Sequence, residues 1–143
     1  MSEMKVSQLS VFIENKSGRV SEITGLLGEA GINIRGFSVS DTAEYGILRL
    51  IVDKVPEAKE VLKAAGFTVR EDDVICIDLP DKPGGLAGVL KIVAEAGVNI
   101  EYVYSLIATY VVINVTDVER AVHLLSDRPV RLISQDEIAA VRL

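Results

Sequence analysis

The stretch "ENKSGRVSEITGLLGEAGINI", Glu14 to Ile34, decides the fold, because the chain writes it a second time as "PDKPGGLAGVLKIVAEAGVNI", Pro80 to Ile100. Without a gap, Lys16 aligns with Lys82, Gly18 with Gly84, Glu29 with Glu95, Gly31 with Gly97, Asn33 with Asn99 and Ile34 with Ile100. Apolar positions follow the same register: Val20 with Leu86, Ile23 with Val89, Leu27 with Val93. Self-similarity of this kind signals duplicated architecture and takes precedence over local propensity. Further on the register slips by three, so that Leu48, Leu50 and Val52 meet Val111, Ile113 and Val115. The slip falls in a strand-to-strand turn, where a length change costs least.

Outward from the repeated stretch, each unit reads alike. An alternating strand ("QLSVFIE", "DVICIDL") precedes it, with Leu9, Val11 and Ile13 matching Ile75, Ile77 and Leu79 on one face. A helix is predicted over Arg19 to Ala30 and Gly85 to Ala96, ended by Gly31 and Gly97 as C′ glycines. Two strands, a second helix with Pro56 in the first copy's opening turn, and a closing strand ("FTVRE", "VRLIS") complete each unit. The order βαββαβ is the split βαβ, or ferredoxin-like, arrangement. The expected fold is therefore α+β: two modules, 1–71 and 72–143, each with both helices on one face of an antiparallel sheet. The tail "DEIAAVRL" resembles the opening strand "DDVICIDL", and an extra C-terminal strand is expected near 136–143.

Composition bounds the function. The chain has 143 residues, nearly half hydrophobic and a quarter charged, which is globular composition. A net charge of −6 and the absence of a basic run oppose nucleic-acid binding. No apolar run reaches the roughly 18 residues a membrane span needs, and the opening "MSEMKVSQLS" has no apolar h-region. A cytoplasmic protein with neither nucleic-acid nor membrane partners is the expectation. One cysteine, Cys76, and one histidine, His123, offer no metal cluster and no Cys–His nucleophile. Cys76, inside "VICIDL", reads as a small buried hydrophobe. Neither catalysis nor a cofactor is expected.

The chemistry lies in the first loop of each unit, Asn15-Lys16-Ser17-Gly18 and Asp81-Lys82-Pro83-Gly84. A glycine at a helix start lets another group approach the backbone, and the free N–H groups and helix dipole there favour a carboxylate. Asn15 or Asp81 offers acceptor oxygens to an ammonium group. Asn33 or Asn99 is expected to add a donor and an acceptor near the same end of the sheet. Taken separately, each of these polar residues is equally readable as a cap or turn former.

In combination, polar-x-Ser/Pro-Gly before an amphipathic helix, then Ala-Gly-apolar-Asn-Ile, resembles the ACT domain, a family of small ligand-binding regulatory modules. The likeness covers nearly the whole chain as two tandem copies. It implies an amino-acid ligand held between two modules, with Asn15, Gly18 and Asn33 in one site and Asp81, Gly84 and Asn99 in the other. Ser17, Arg19, Val20 and Ile34 adjoin the first; Pro83, Gly85, Leu86, Ile100 and Tyr102 adjoin the second. Ser17 departs from the family's proline, which the second copy keeps as Pro83. Arg19 is either a carboxylate partner or a solvated first-turn residue, and Tyr102 and Tyr104 either wall a pocket or pack within a strand. The implied function is a non-catalytic amino-acid-sensing regulator, assembled as a homodimer. The alternative is a regulatory subunit that contacts an enzyme of amino-acid metabolism.

Overall fold

The computed structural model describes residues 4–14, 18–41 and 45–142. The chain forms two compact units. The first module is Ser7–Asp72 and contains β1 (Val6–Glu14), α1 (Arg19–Glu29), β2 (Ile34–Asp41), β3 (Tyr45–Val52), α2 (Val55–Ala64) and the opening of β4 (Thr68–Asp78). The second runs from Asp73 onward and contains the rest of β4, α3 (Gly85–Glu95), β5 (Ile100–Ser105), β6 (Tyr110–Val115), α4 (Val118–Leu125), β7 (Arg131–Ile133) and α5 (Gln135–Ala140).

Strand order is β2-β3-β1-β4 in the first module and β5-β6-β4-β7 in the second. The pairs β1·β3, β2·β3, β4·β6, β4·β7 and β5·β6 are antiparallel. This is the expected βαββαβ arrangement in both copies. Each sheet buries one face under its helices. In the first module Leu9, Val11, Leu48 and Leu50 meet Ile23 and Leu27 of α1 and Ala58 and Leu62 of α2. In the second, Ile75, Ile77, Val111 and Ile113 meet Val89 and Val93 of α3 and Ala121, Val122 and Leu125 of α4. The i, i+4 pairs are the core-facing stripe of an amphipathic helix. Each fully buried Leu or Ile contributes about 1.5–3 kcal/mol.

Even the irregularities are duplicated. A β-bulge interrupts pairing between Ile34 and Gly36, and again between Ile100 and Tyr102. Helices α1 and α3 both close in a Schellman motif: the amides of Gly31 and Ile32 donate to the carbonyls of Gly28 and Leu27, and those of Gly97 and Val98 to Ala94 and Val93.

Two sequence expectations need correction. The module boundary falls between Asp72 and Asp73, and Met4, Lys5 and Val6 group with the second module rather than the first. Lys5 explains why: its ammonium sits 2.7 Å from Glu119 and 3.6 Å from Asp73, while Met4 packs on the second core. The tail beyond Ser134 is helix α5, not a strand. Ser134 and Glu137 form a reciprocal capping box, and Ala139 and Ala140 favour helix where "VICIDL" is β-branched. α5 is tied on the side of the sheet opposite α3 and α4. Its Glu137 pairs at 2.6 Å with Arg131, whose strand partner Asp78 alternates with the core-facing Ile77. Cys76, Val112 and Ile133 on that face are also fully buried.

Candidate functional site

Each first loop delivers the chain into a helix through a glycine with positive φ: Gly18 at 87° before α1 and Gly84 at 82° before α3. Only glycine adopts this backbone without strain, and among the described residues neither helix start has a side-chain cap. Asn15, Lys16 and Ser17 lie outside the described residues. In the second module the loop folds back on itself. The amide of Lys82 donates to Pro80 and that of Gly85 to Lys82, both at 2.9 Å, and the first helical bond is Gly88 to Gly84 at 2.8 Å. The amides of Leu86 and Ala87 remain at the positive end of the helix dipole with no side chain to receive them. Asp81, Lys82 and Pro83 are exposed.

Beside each helix start lies a cleft. That of the first module encloses about 380 Å³ and is lined by the end of β1, the start of α1, Tyr45 and the α2–β4 turn. That of the second encloses about 600 Å³, between the end of β4, one flank of α3 and the α4–β7 turn. The two occupy the same place in the repeat. Phe12, Ile13, Glu14, Arg19 and Glu22 line the first, and their aligned residues Asp78, Leu79, Pro80, Gly85 and Gly88 line the second. In the slipped register, Gly66, Phe67 and Thr68 correspond likewise to Pro129, Val130 and Arg131.

The linings differ in chemistry. Arg19 meets Glu22 at 2.8 Å and Glu14 at 4.0 Å, so in the described structure the guanidinium is taken up by its own module's carboxylates. In the second module Gly85 can carry no side chain, since a Cβ there would lie 2.0 Å from the Pro80 carbonyl oxygen. Arg131 is engaged at 3.2 Å by Asp78 and at 2.6 Å by Glu137. Its pKa is raised, first by a hydrogen bond with Tyr110 and then by Glu137 and Asp78. Thr109 donates a short hydrogen bond to Asp78. Lys82 has no ion-pair partner among the described residues.

A family model for an ACT domain pair matches residues 4–141. The chain belongs to the ACT domain family. No curated protein matches it significantly. Among solved structures, protein BT0572 from Bacteroides thetaiotaomicron is 35% identical, over 99% of this chain and 100% of that one, with a TM-score of 0.91. The ligand-free regulatory subunit of aspartate kinase from Thermus thermophilus is 20% identical, over 84% of this chain and 90% of that one, with a TM-score of 0.62. At that identity the likeness is one of fold. ACT domains are regulatory rather than catalytic modules.

As an ACT pair, the chain brings only part of the expected site together within either module. Gly18 and Arg19, and Gly84, Gly85 and Leu86, cluster at the helix starts, with Leu86 44% exposed. Asn33 and Asn99 do not join them. Each follows an 11-residue helix, about 16 Å long at 1.5 Å per residue, and so stands at its far end. There the backbone amide of Asn33 donates to the Asp53 carboxylate at 2.9 Å, and Asn99 lines a separate 140 Å³ hollow with Thr116, Asp117 and Arg120. Val20, Ile34 and Ile100 pack on the cores. Tyr102 stacks on Tyr104 with ring centroids 6.3 Å apart, opposite Asn114 on the face away from α3. Sequence reasoning missed the turn residues Pro129 and Val130 as cleft walls. The match of Gly66-Phe67-Thr68 to Pro129-Val130-Arg131 carried that signal.

Among the described residues no group of His, Cys, Asp and Glu could hold a metal ion, and no helix is long and apolar enough to cross a membrane.

Proposed function

We propose that this ACT pair is a regulator that binds free amino acids where the first loop meets the following helix, and passes the binding on as a change in its own assembly or in a partner's activity. The observation carrying this reading is the cleft beside an uncapped, glycine-entered helix start, repeated in both modules. An α-carboxylate suits the free amides and positive helix end, and Asp81 supplies an acceptor for the ammonium group. Asn33 and Asn99 stand away from the first loop of their own module, so they belong to the site only as contributions from a second module. Binding regulates only through a difference in affinity between two states of the protein.

The test is thermal denaturation with each of the twenty amino acids. A ligand at 100 times its Kd stabilises by about 2.7 kcal/mol, a rise of roughly 5–10 °C at this chain length. Asp81→Ala and Asn99→Ala should abolish that rise while leaving the ligand-free midpoint nearly unchanged. Uniform silence across the set contradicts the reading, and loss of folding in both variants reassigns these residues to capping.

The assembly we propose is a homodimer through the edge strand β2, which among the described residues pairs with β3 alone. Phe37 and Val39 on it are 63% and 49% exposed, and the strand has neither proline nor lysine to discourage pairing. A second reading, a subunit that regulates an enzyme by contact, is supported by the fold shared with the regulatory subunit of an aspartate kinase.

A further inference from the structure

We propose that the two clefts have diverged: the second module's takes the ligand, an amino acid with an aliphatic side chain, while the first module's is committed to its own ion pairs. The inference rests on the amino-acid-sensing reading and specifies which site acts and on what.

The aligned linings differ first in how their charged groups are engaged. Among the described residues, Glu14 and Glu22 of the first cleft both face Arg19. In the second, Asp78 and Glu137 both hold Arg131, at 3.2 Å and 2.6 Å, and Lys82 stands without an ion-pair partner among the described residues. A ligand carboxylate entering the first cleft finds Arg19 already holding Glu22 at 2.8 Å. An exposed pair of this kind is worth little as stability. Its consequence is that Arg19 can reach a ligand carboxylate only by giving up Glu22.

Space agrees with charge. Where the first module has Arg19 and Glu22, the second has Gly85 and Gly88. A Cβ on Gly88 would meet nothing within 4 Å, so its omission opens the flank of α3 to the cleft. The resulting volume, about 600 Å³ against 380 Å³, lies well within the range of small-molecule sites.

The walls then select the side chain. Leu79, Pro80, Val89, Ile92, Pro129 and Val130 line the second cleft. Asp78 and Arg131 are paired with each other at 3.2 Å, which leaves Lys82 as the cation available to the ligand's carboxylate. A charged side chain placed against the remaining walls would be desolvated without a partner, whereas an aliphatic one gains roughly 25 cal/mol per Å² covered.

The decisive experiment is calorimetric titration of leucine, with lysine and aspartate as competitors, into the wild type and two variants of the full chain. Gly88→Glu places in the second cleft the carboxylate that Glu22 places in the first. It replaces glycine in a helix with a better helix former, so its ligand-free midpoint should equal or exceed that of the wild type. Glu22→Gln alters only the first cleft. The expected result is one leucine per chain for the wild type and for Glu22→Gln, with affinity lowered at least about tenfold, 1.4 kcal/mol, in Gly88→Glu. Leucine bound equally by Gly88→Glu, lost in Glu22→Gln, or outcompeted by lysine or aspartate overturns the inference while leaving amino-acid sensing standing. If no amino acid binds the wild type, sensing itself falls and this inference with it.

Discussion

Arg19 and Gly85 are aligned residues with opposite constraints, and the contrast decides what each cleft can be. Gly85 is buried with the Pro80 carbonyl against it, so Gly85→Ala must displace backbone. Gly85→Ala should lower stability by about 1–3 kcal/mol as an overpacked site. Three residues on, Gly88→Ala should raise stability by about 0.5–1 kcal/mol, because the space is open and alanine is the better helix former. Urea midpoints of the two variants, read together, check the assignment. Cys76 supplies a second prediction. Burial pushes its thiol pKa far up, and the residue is wholly inaccessible. A thiol reagent should therefore leave the native protein unmodified and label one cysteine per chain after denaturation; rapid native labelling would contradict the burial.

The duplicated strand–helix–strand pattern was legible because its punctuation is physical: glycine with positive φ at Gly18 and Gly84, Schellman closure at Gly31 and Gly97, and core residues at i, i+4. What could not be read was distance through the fold. Residues flanking a helix look adjacent as punctuation, yet Gly84 and Asn99 are separated by the length of α3. The tail misled for a related reason, since "DEIAAVRL" alternates weakly while half of the deciding signal, the Ser134 that caps with Glu137, lies before it. Ser134→Ala removes that cap and should cost about 1 kcal/mol, seen as a lowered thermal midpoint. Between α2 and β4, Glu71 accepts hydrogen bonds from Lys59 at 3.0 Å and Ser7 at 2.9 Å, and these lower its pKa from 4.5. A depressed carboxylate stabilises the fold above its unfolded pKa and loses that contribution as pH falls through the folded value. The midpoint of the wild type should thus exceed that of Glu71→Gln at pH 7, and the gap should close as pH falls below about 4.5. A gap that persists in acid would assign the effect to packing instead.

At the scale of the whole molecule, duplication has produced two modules with one architecture and two chemistries. Both keep the helix-side core, the bulge in the second strand and the cleft beside the first helix. They part at the few side chains that set the charge and width of that cleft. A homodimer through β2 would place the exposed Phe37 at its centre, so Phe37→Asp should convert dimer to monomer in light scattering, and an unchanged mass would move the interface elsewhere. The central claim is that an ACT pair of this kind answers to a free amino acid. Isothermal titration of the twenty amino acids into the wild-type chain tests it most directly. Saturable heat from an aliphatic amino acid at one site per chain is the expected result; flat titrations with all twenty would refute amino-acid sensing.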